Sequence, residues 1–202
     1  MSAHKPTAIN PWTYAAQFYS GDPATSSDYN QIVNNLSLMY ARPYMIIANT
    51  ASQTLTTGSN VFTGGSPATI TNNPVSLAGS ITYASGTITV PLTGLYRVTM
   101  SMSVNTNATA AYYYMYAVFG GGTSANNHQV FTPRTPTSTT QVSGSTASFI
   151  IPMQAGGGTY PNTIAFNIGT SAAVTVQGAA LPIGASTTFA QVEYLGASNG
   201  SI

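Results

Sequence analysis

Cysteine is absent from this chain of 202 residues, which excludes a disulfide framework and a metal site built on thiolates. Charged residues make up only 3% of the chain, where a soluble domain ordinarily has roughly 25%. Because the formal net charge is +1, we expect neither nucleic acid nor an anionic membrane as a partner. A protein with so little charge gains little colloidal solubility from it, which favours a chain that is held in an assembly.

Long hydrophobic runs are missing as well. The most apolar stretch, AAYYYMYAVFGGG, is too short and too aromatic to span a bilayer as a helix. The first residues, MSAHKPTAINPW, lack the apolar segment of a secretory signal. Hydrophobic residues nevertheless make up 43% of the chain, which is enough for the core of one domain with an appendage.

Groups that could carry out catalysis are scarce. Glu193 is the only acidic residue after Asp28, whereas glycoside hydrolysis needs two carboxylates at one site. A serine triad needs a histidine and an acid beside the nucleophile, and His128 has only Glu193 downstream of it. A fold can still bring these two residues together, but unrelated roles are the preferred interpretation.

Metal and cofactor sites are not indicated either. Histidines and carboxylates do not cluster at the spacing of metal ligands. The glycine-rich stretches FGGGTS and QAGGGTY lack the lysine and the following helix of a phosphate-binding loop. We therefore predict a protein that is not an enzyme, with no catalytic residue, no metal and no cofactor.

The first 25 residues are polar and interrupted by proline and glycine, which predicts an irregular arm over 1–25. This arm carries Trp12, Tyr14, Phe18 and Tyr19, a group of aromatics that is unusual in a solvated tail. Two interpretations stay open, because the arm can fold back on its own domain or dock on another subunit.

A helix is predicted over 26–43. Ser26 or Ser27 can cap its start, and Pro43 ends it. Apolar residues recur inside it at helical spacing, and four of them fit two heptads, which are too few for an independent coiled coil. These four are Tyr29, Ile32, Leu36 and Met39. The helix either packs on a neighbouring sheet or joins a short bundle of symmetry-related helices.

Residues 44–202 form the predicted β domain, and within its candidate strands the apolar residues recur at every second position. In the longest such stretch, Arg97, Thr99, Ser101 and Ser103 share the polar face. The predicted strands are 44–50, 67–71, 80–83, 86–91, 95–104, 110–119, 127–131, 140–152, 162–169, 172–177 and 187–195. Short strands at this spacing, without alternating helices, indicate an all-β antiparallel sandwich or jelly roll.

The strand AYYYMYAVF is apolar on both faces. Tyr112, Tyr114, Tyr116 and Val118 point one way, and the residues between them, which are also apolar, point the other way. A sheet in a sandwich normally has one solvent-exposed face. We therefore predict that the outer face of this strand is covered, either by a second subunit or by the arm.

The segment SGTITVPLTGLYRVTMSMSV resembles the C1q/tumour-necrosis-factor-like jelly roll, in which a Val-Pro pair and a Gly-x-Tyr step open a long strand. The matching residues are Val90, Pro91, Gly94, Leu95 and Tyr96, with Thr188 and Phe189 at the last strand. The resemblance covers about residues 44–196. The segment ASFIIPMQAGGGTY lies where that family has a strand followed by an aGD-type turn, but it lacks the aspartate, so no acidic or calcium-linked role is carried over to it.

The head of the chain is similar to the N-termini of bacteriophage virion proteins that carry this jelly roll, in which an INPW-like arm precedes a helix ending in ARP. The matching residues are Ile9, Asn10, Pro11, Trp12, Ala41, Arg42 and Pro43. A collagen-like repeat is absent, which argues against an animal complement protein.

The resemblance implies a non-enzymatic homotrimer on the virion surface, assembled in the bacterial host cytoplasm. It would decorate the capsid or project as a head fibre, with the major capsid protein or tail and fibre proteins as partners. The expected anchoring residues are Trp12, Tyr14, Phe18 and Tyr19. The expected trimer interface comprises Tyr29, Ile32, Leu36, Met39, Tyr112, Tyr114 and Tyr116.

A second hypothesis is a receptor-binding module at the tip of a tail or fibre. Loops rich in tyrosine and asparagine would recognise a host surface glycan, because aromatic rings can pack on sugars. The position of the protein on the particle would separate the two hypotheses.

The arm generates a first prediction. Deleting residues 1–25 should abolish incorporation into particles but leave a folded trimer, since the strands contain their own core. Trp12→Ala alone should lower occupancy, because truncating a good aromatic anchor costs about 2 kcal/mol or more. High salt should matter little, as Lys5 and Asp22 are the only fixed side-chain charges in the arm. Particle-binding assays measure both effects, and equal binding with and without the arm would contradict them.

Overall fold

The computed structural model describes residues 29–30, 42–72, 80–105, 110, 112–122, 142–178 and 188–196. The predicted arm, most of the predicted helix and the predicted strand 127–131 lie outside these residues. Tyr29 and Asn30, which belong to the predicted helix, are helical.

Every predicted strand that falls in the described residues is confirmed. The strands are β1 Tyr44–Asn49, β2 Gln53–Leu55, β3 Pro67–Asn72, β4 Thr82–Ala84, β5 Thr87–Thr89, β6 Gly94–Asn105, β7 Tyr113–Gly120, β8 Val142–Met153, β9 Thr163–Thr170, β10 Val174–Val176 and β11 Phe189–Gly196. β2 was not predicted, because Leu55 is the only apolar residue between Ala51 and Val61 and a single one displays no alternation.

The strands form two antiparallel sheets. In the larger sheet the order is β2-β10-β6-β11-β1-β3, and β8 pairs with the other edge of β6 along its whole length. In the smaller sheet the order is β4-β5-β9-β7. The architecture is therefore all-β, as predicted.

The core lies between the sheets, and the alternate residues of each strand fill it. The largest fully buried side chains are Tyr96, Tyr113, Tyr194, Phe62, Phe166, Ile47, Ile81, Ile88, Met102, Met153 and Ile164. These side chains come from both sheets, and each fully buried large one contributes roughly 1.5–3 kcal/mol to stability.

The Gly94-Leu95-Tyr96 step has a clear structural reason. A Cβ on Gly94 would lie 2.7 Å from Cε2 of Tyr194 and overlap the carbonyl oxygen of Gly196. The Tyr96 ring packs against Tyr194 with centroids 5.2 Å apart, and its hydroxyl donates to the carbonyl of Leu92 at 2.8 Å. Burial, reinforced by Tyr194, raises the pKa of Tyr96 well above its ordinary value. The motif thus joins the start of β6 to the end of β11.

A cluster of glycines joins the end of β7 to the turn between β8 and β9. The Gly158 amide donates to the carbonyl of Gly121 at 3.1 Å, and Gly122 bridges Gly158. A Cβ on Gly157 would overlap the carbonyl oxygen of Gly121, whereas a Cβ on Gly156 would meet nothing within 4 Å. The backbone at the end of β7 therefore directly touches the turn that connects the larger sheet to the smaller one.

Two neighbouring glycines in this turn give a matched test. Gly156 and Gly157 have positive φ values of 75° and 77°, so alanine should cost each of them about 1–2 kcal/mol of stability. Gly157→Ala should cost about 1–3 kcal/mol more, because its Cβ must displace backbone. Urea unfolding measures the difference, and equal losses for the two variants would show that this contact is not tight.

Candidate functional site

Charged side chains are rare throughout the described part of the chain, where only Arg42, Arg97 and Glu193 occur. Arg97 and Glu193 face each other on β6 and β11, and Nη1 lies 3.4 Å from Oε2. The carboxylate of Glu193 therefore has a cationic partner. His128, its hypothetical catalytic partner, lies outside the described residues.

The described residues offer neither a metal site nor a membrane-spanning helix. They contain no group of three or more His, Cys, Asp or Glu side chains placed to hold a metal ion. They also contain no helix with the length and apolar character needed to cross a bilayer. The candidate functional surfaces are therefore the two outer faces of the sandwich.

The outer face of the larger sheet is more apolar than β6 alone indicates. Tyr44 and Ile46 alternate with the buried Met45 and Ile47, so they point away from the core. This side, here named the large-sheet face, carries the apolar residues Tyr44, Ile46, Ile70, Ile150 and Phe189, the charged Arg97 and Glu193, and the polar Gln191, Thr99, Ser101, Thr146 and Ser148. The register brings these side chains, which come from five strands, onto one surface.

Two aliphatic side chains of the large-sheet face are openly exposed in the single chain. Ile150 is 58% exposed and Ile70 is 38% exposed. Ile150 lies opposite Arg97 on β6, and Ile70 lies opposite Ile46 on β1. The ion pair is therefore flanked by apolar residues.

Hydroxyl groups occupy the strip between these apolar residues. Thr99 and Ser148 are hydrogen-bonded through their hydroxyls at 2.9 Å, and the Thr146 hydroxyl donates to that of Ser101 at 3.0 Å. Cross-strand pairs of this kind stabilise a sheet modestly. They also satisfy one another's polar groups, which lowers the cost of taking this surface out of water.

The outer face of the smaller sheet carries three tyrosines in a row along β7. Tyr112, Tyr114 and Tyr116, here named the tyrosine row, alternate with buried residues such as Tyr113, so the predicted division of this strand into two faces is confirmed. Ring centroids are 6.2 Å apart between Tyr112 and Tyr114 and 5.8 Å apart between Tyr114 and Tyr116. Tyr112 is 44% exposed.

The central ring of the row rests on the neighbouring strand. Tyr114 lies opposite Gly169 of β9, and a Cβ on that glycine would come within 2.6 Å of Cε1 of Tyr114. Glycine inside a strand often marks such a close approach, and an aromatic ring over it restores the missing side-chain contact. The row is thus fixed by packing on backbone.

The structure tests only part of the predicted site. Tyr112, Tyr114 and Tyr116 lie together, and Tyr29 is 68% exposed. Outside the described residues lie Ile32, Leu36, Met39, Trp12, Tyr14, Phe18 and Tyr19. The large-sheet face was not predicted, although the apolar residues on both sides of YMIIAN were a signal for it.

No model of a protein family matches the sequence, and no curated protein matches it. Among solved structures, the chain is similar to Eiger TNF from S. frugiperda, with a TM-score of 0.51, 8% sequence identity, and coverage of 80% of this chain and 98% of that chain. It is also similar to murine APRIL at pH 8.5, with a TM-score of 0.46, 13% identity, and coverage of 76% and 99%. The Eiger likeness shows the fold: the chain is an antiparallel jelly roll of the TNF-like type.

The contact between Tyr114 and Gly169 can be tested with a double-mutant cycle. Gly169→Ala should lower the free energy of unfolding by about 1–3 kcal/mol, because the new Cβ must push the Tyr114 ring away. In a Tyr114→Ala background the same change should cost less, with a coupling of about 0.5–3 kcal/mol. Urea unfolding of the four proteins gives this coupling, and additive losses would mean that the ring does not rest on Gly169.

Proposed function

We infer that the protein is a non-enzymatic structural protein of a bacteriophage particle. It is a homotrimer of jelly rolls that decorates the capsid or projects as a head fibre, attached through its N-terminal arm. The resemblance of the INPW arm and the ARP helix end to virion proteins supports this assignment, and the TNF-like fold is compatible with it. The observation that carries the proposal is the apolar large-sheet face in a chain with 3% charged residues.

The large-sheet face has the composition of a contact between subunits. Monomeric proteins rarely expose a large contiguous apolar patch, and interface cores are enriched in aromatic residues and arginine and depleted in other charges. Arg97 and Glu193 place opposite charges on one surface. A second copy related by rotation can therefore place its glutamate near this arginine, or its arginine near this glutamate. Their exposed ion pair contributes only about 0–1 kcal/mol within one chain.

The tyrosine row was the expected trimer contact, and no observation tests that expectation. We favour the large-sheet face because its aliphatic side chains, such as Ile150, have no polar group to hydrate. A tyrosine carries a hydroxyl that can hydrogen-bond, so an exposed tyrosine costs less than an exposed isoleucine. In a sandwich the two outer faces point in opposite directions, so the row then faces away from this contact.

The chemistry of the described residues supports a role without catalysis. Glu193, their only acid, is held beside Arg97 on the large-sheet face. The described residues contain no second acid with which Glu193 could share acid and base roles. Association is the activity that remains.

Receptor binding is the second candidate function, and the tyrosine row is the observation that favours it. Stacked rings on an outward face offer a platform for a ligand. Cryo-electron microscopy of the particle distinguishes the two functions, since a decoration protein lies over the capsid lattice, whereas a receptor-binding module lies at the free end of a tail or fibre.

The proposed trimer contact gives a prediction about mass in solution. Ile150→Glu should convert the trimer to monomers, because it places an unpaired charge in an apolar contact. Thr159→Glu is the matched control, since Thr159 is exposed in a turn away from both outer faces. Analytical ultracentrifugation at micromolar concentration should give a trimer for the parent chain and for this control.

The same measurement can refute the assignment. A parent chain that stays monomeric would overturn the trimer itself. Loss of the trimer in Tyr112→Glu, with none in Ile150→Glu, would instead place the contact on the tyrosine row. Circular dichroism of each variant shows whether the fold is retained.

A further inference from the structure

We propose that the tyrosine row is a binding site for an uncharged glycan, an inference that builds on the second candidate function above and on the trimer contact lying on the opposite face. The sequence had suggested that loops would bind such a ligand. The structure instead points to β7 and the residue before it, whose outward rings lie next to one another.

The first argument is the geometry of the rings. Tyr112, Tyr114 and Tyr116 follow one another along β7 with centroid separations of 6.2 Å and 5.8 Å. These separations are comparable with the length of one sugar residue in a glycan chain. The apolar C–H face of a pyranose ring packs on aromatic surface, so consecutive sugars can lie along consecutive rings.

The second argument is charge. The smaller sheet consists of the strands TYA, TIT, YYMYAVFG and TIAFNIGT, and none of them contains a charged residue. An acidic polysaccharide would find no cation there, whereas a neutral one loses no ionic hydration when it binds. Within these described strands, the absence of charge therefore favours a neutral ligand over an acidic one.

The third argument is the presence of suitable hydrogen-bonding groups. Asn167 lies opposite Tyr116 and alternates with the buried Phe166 and Ile168, so it shares the outer face with the rings. An amide can both donate and accept, as sugar hydroxyls do. Aromatic surface with a few convergent polar groups is typical of small-ligand sites.

The fourth argument is rigidity. Tyr114 is held over Gly169, and its ring contacts both neighbouring tyrosines. On the inner side of the strand, Tyr113 and Phe119 are buried in the core. Side chains that are already ordered lose little entropy on binding, which improves affinity for a ligand of modest size.

The test uses the full chain with three neutral probes, maltohexaose, cellohexaose and chitohexaose, and with oligogalacturonate as an acidic comparator. Isothermal titration calorimetry should show binding of at least one neutral probe and weaker or no binding of the acidic one. Tyr112→Ala and Tyr116→Ala should each reduce affinity by about three- to tenfold, the equivalent of one aromatic contact. Tyr160→Ala, which removes a partly exposed tyrosine in the turn between β8 and β9, should leave affinity unchanged.

Three results would overturn the proposal. They are a failure of all three neutral probes to bind, stronger binding of oligogalacturonate, and neutral binding that survives both Tyr112→Ala and Tyr116→Ala. Ultracentrifugation of the same variants separates this proposal from the trimer. If the parent chain is monomeric but still binds glycan through the row, only the trimer is refuted. If the tyrosine substitutions change the mass of the protein in solution and no glycan binds, the row is instead a contact with a second copy.

Discussion

The near absence of charge is the constraint on which the rest of this structure depends. A β-sandwich buries one side of each sheet in the core and leaves the other side in contact with solvent or with a partner. Most soluble proteins cover that side with lysine, glutamate and arginine. In the part of the chain that the structure describes, the outer surfaces use hydroxyl pairs such as Thr99 with Ser148, stacked rings, and the ion pair between Arg97 and Glu193. Such groups satisfy one another and repel neither a second copy nor a neutral ligand.

Glycine meets a related constraint where backbones approach each other. Gly94 lies against Tyr194, Gly157 lies against the carbonyl of Gly121, and Gly169 lies beneath Tyr114. Each contact joins segments that are distant in sequence, and each would be lost if a side chain were added. Glycines that look like ordinary loop or strand residues in the sequence therefore fix how one end of the sandwich closes and how the tyrosine row is supported.

The sequence predicts local features of this fold well and non-local ones poorly. The strands and the burial of alternate residues in β6 and β7 follow from period-two patterns, which neighbouring residues alone define. The large-sheet face depends instead on register, because Ile150 joins Arg97 only once β8 is paired with β6. The pairing of Tyr114 with Gly169 depends on register in the same way. β2 was missed for another reason, since Leu55 is the only apolar residue in that part of the sequence and shows no period.

The two outer faces are suited to different partners because their side chains differ in chemistry. Ile46 and Ile150 can be satisfied only by apolar contact, which a second folded copy supplies over a wide area. The rings of the tyrosine row combine apolar surface with hydroxyl groups that can hydrogen-bond, so leaving this surface in water costs less than leaving an aliphatic one there. A permanent contact through the larger sheet and an intermittent one through the smaller sheet would let a single charge-poor sandwich both assemble and remain available for binding.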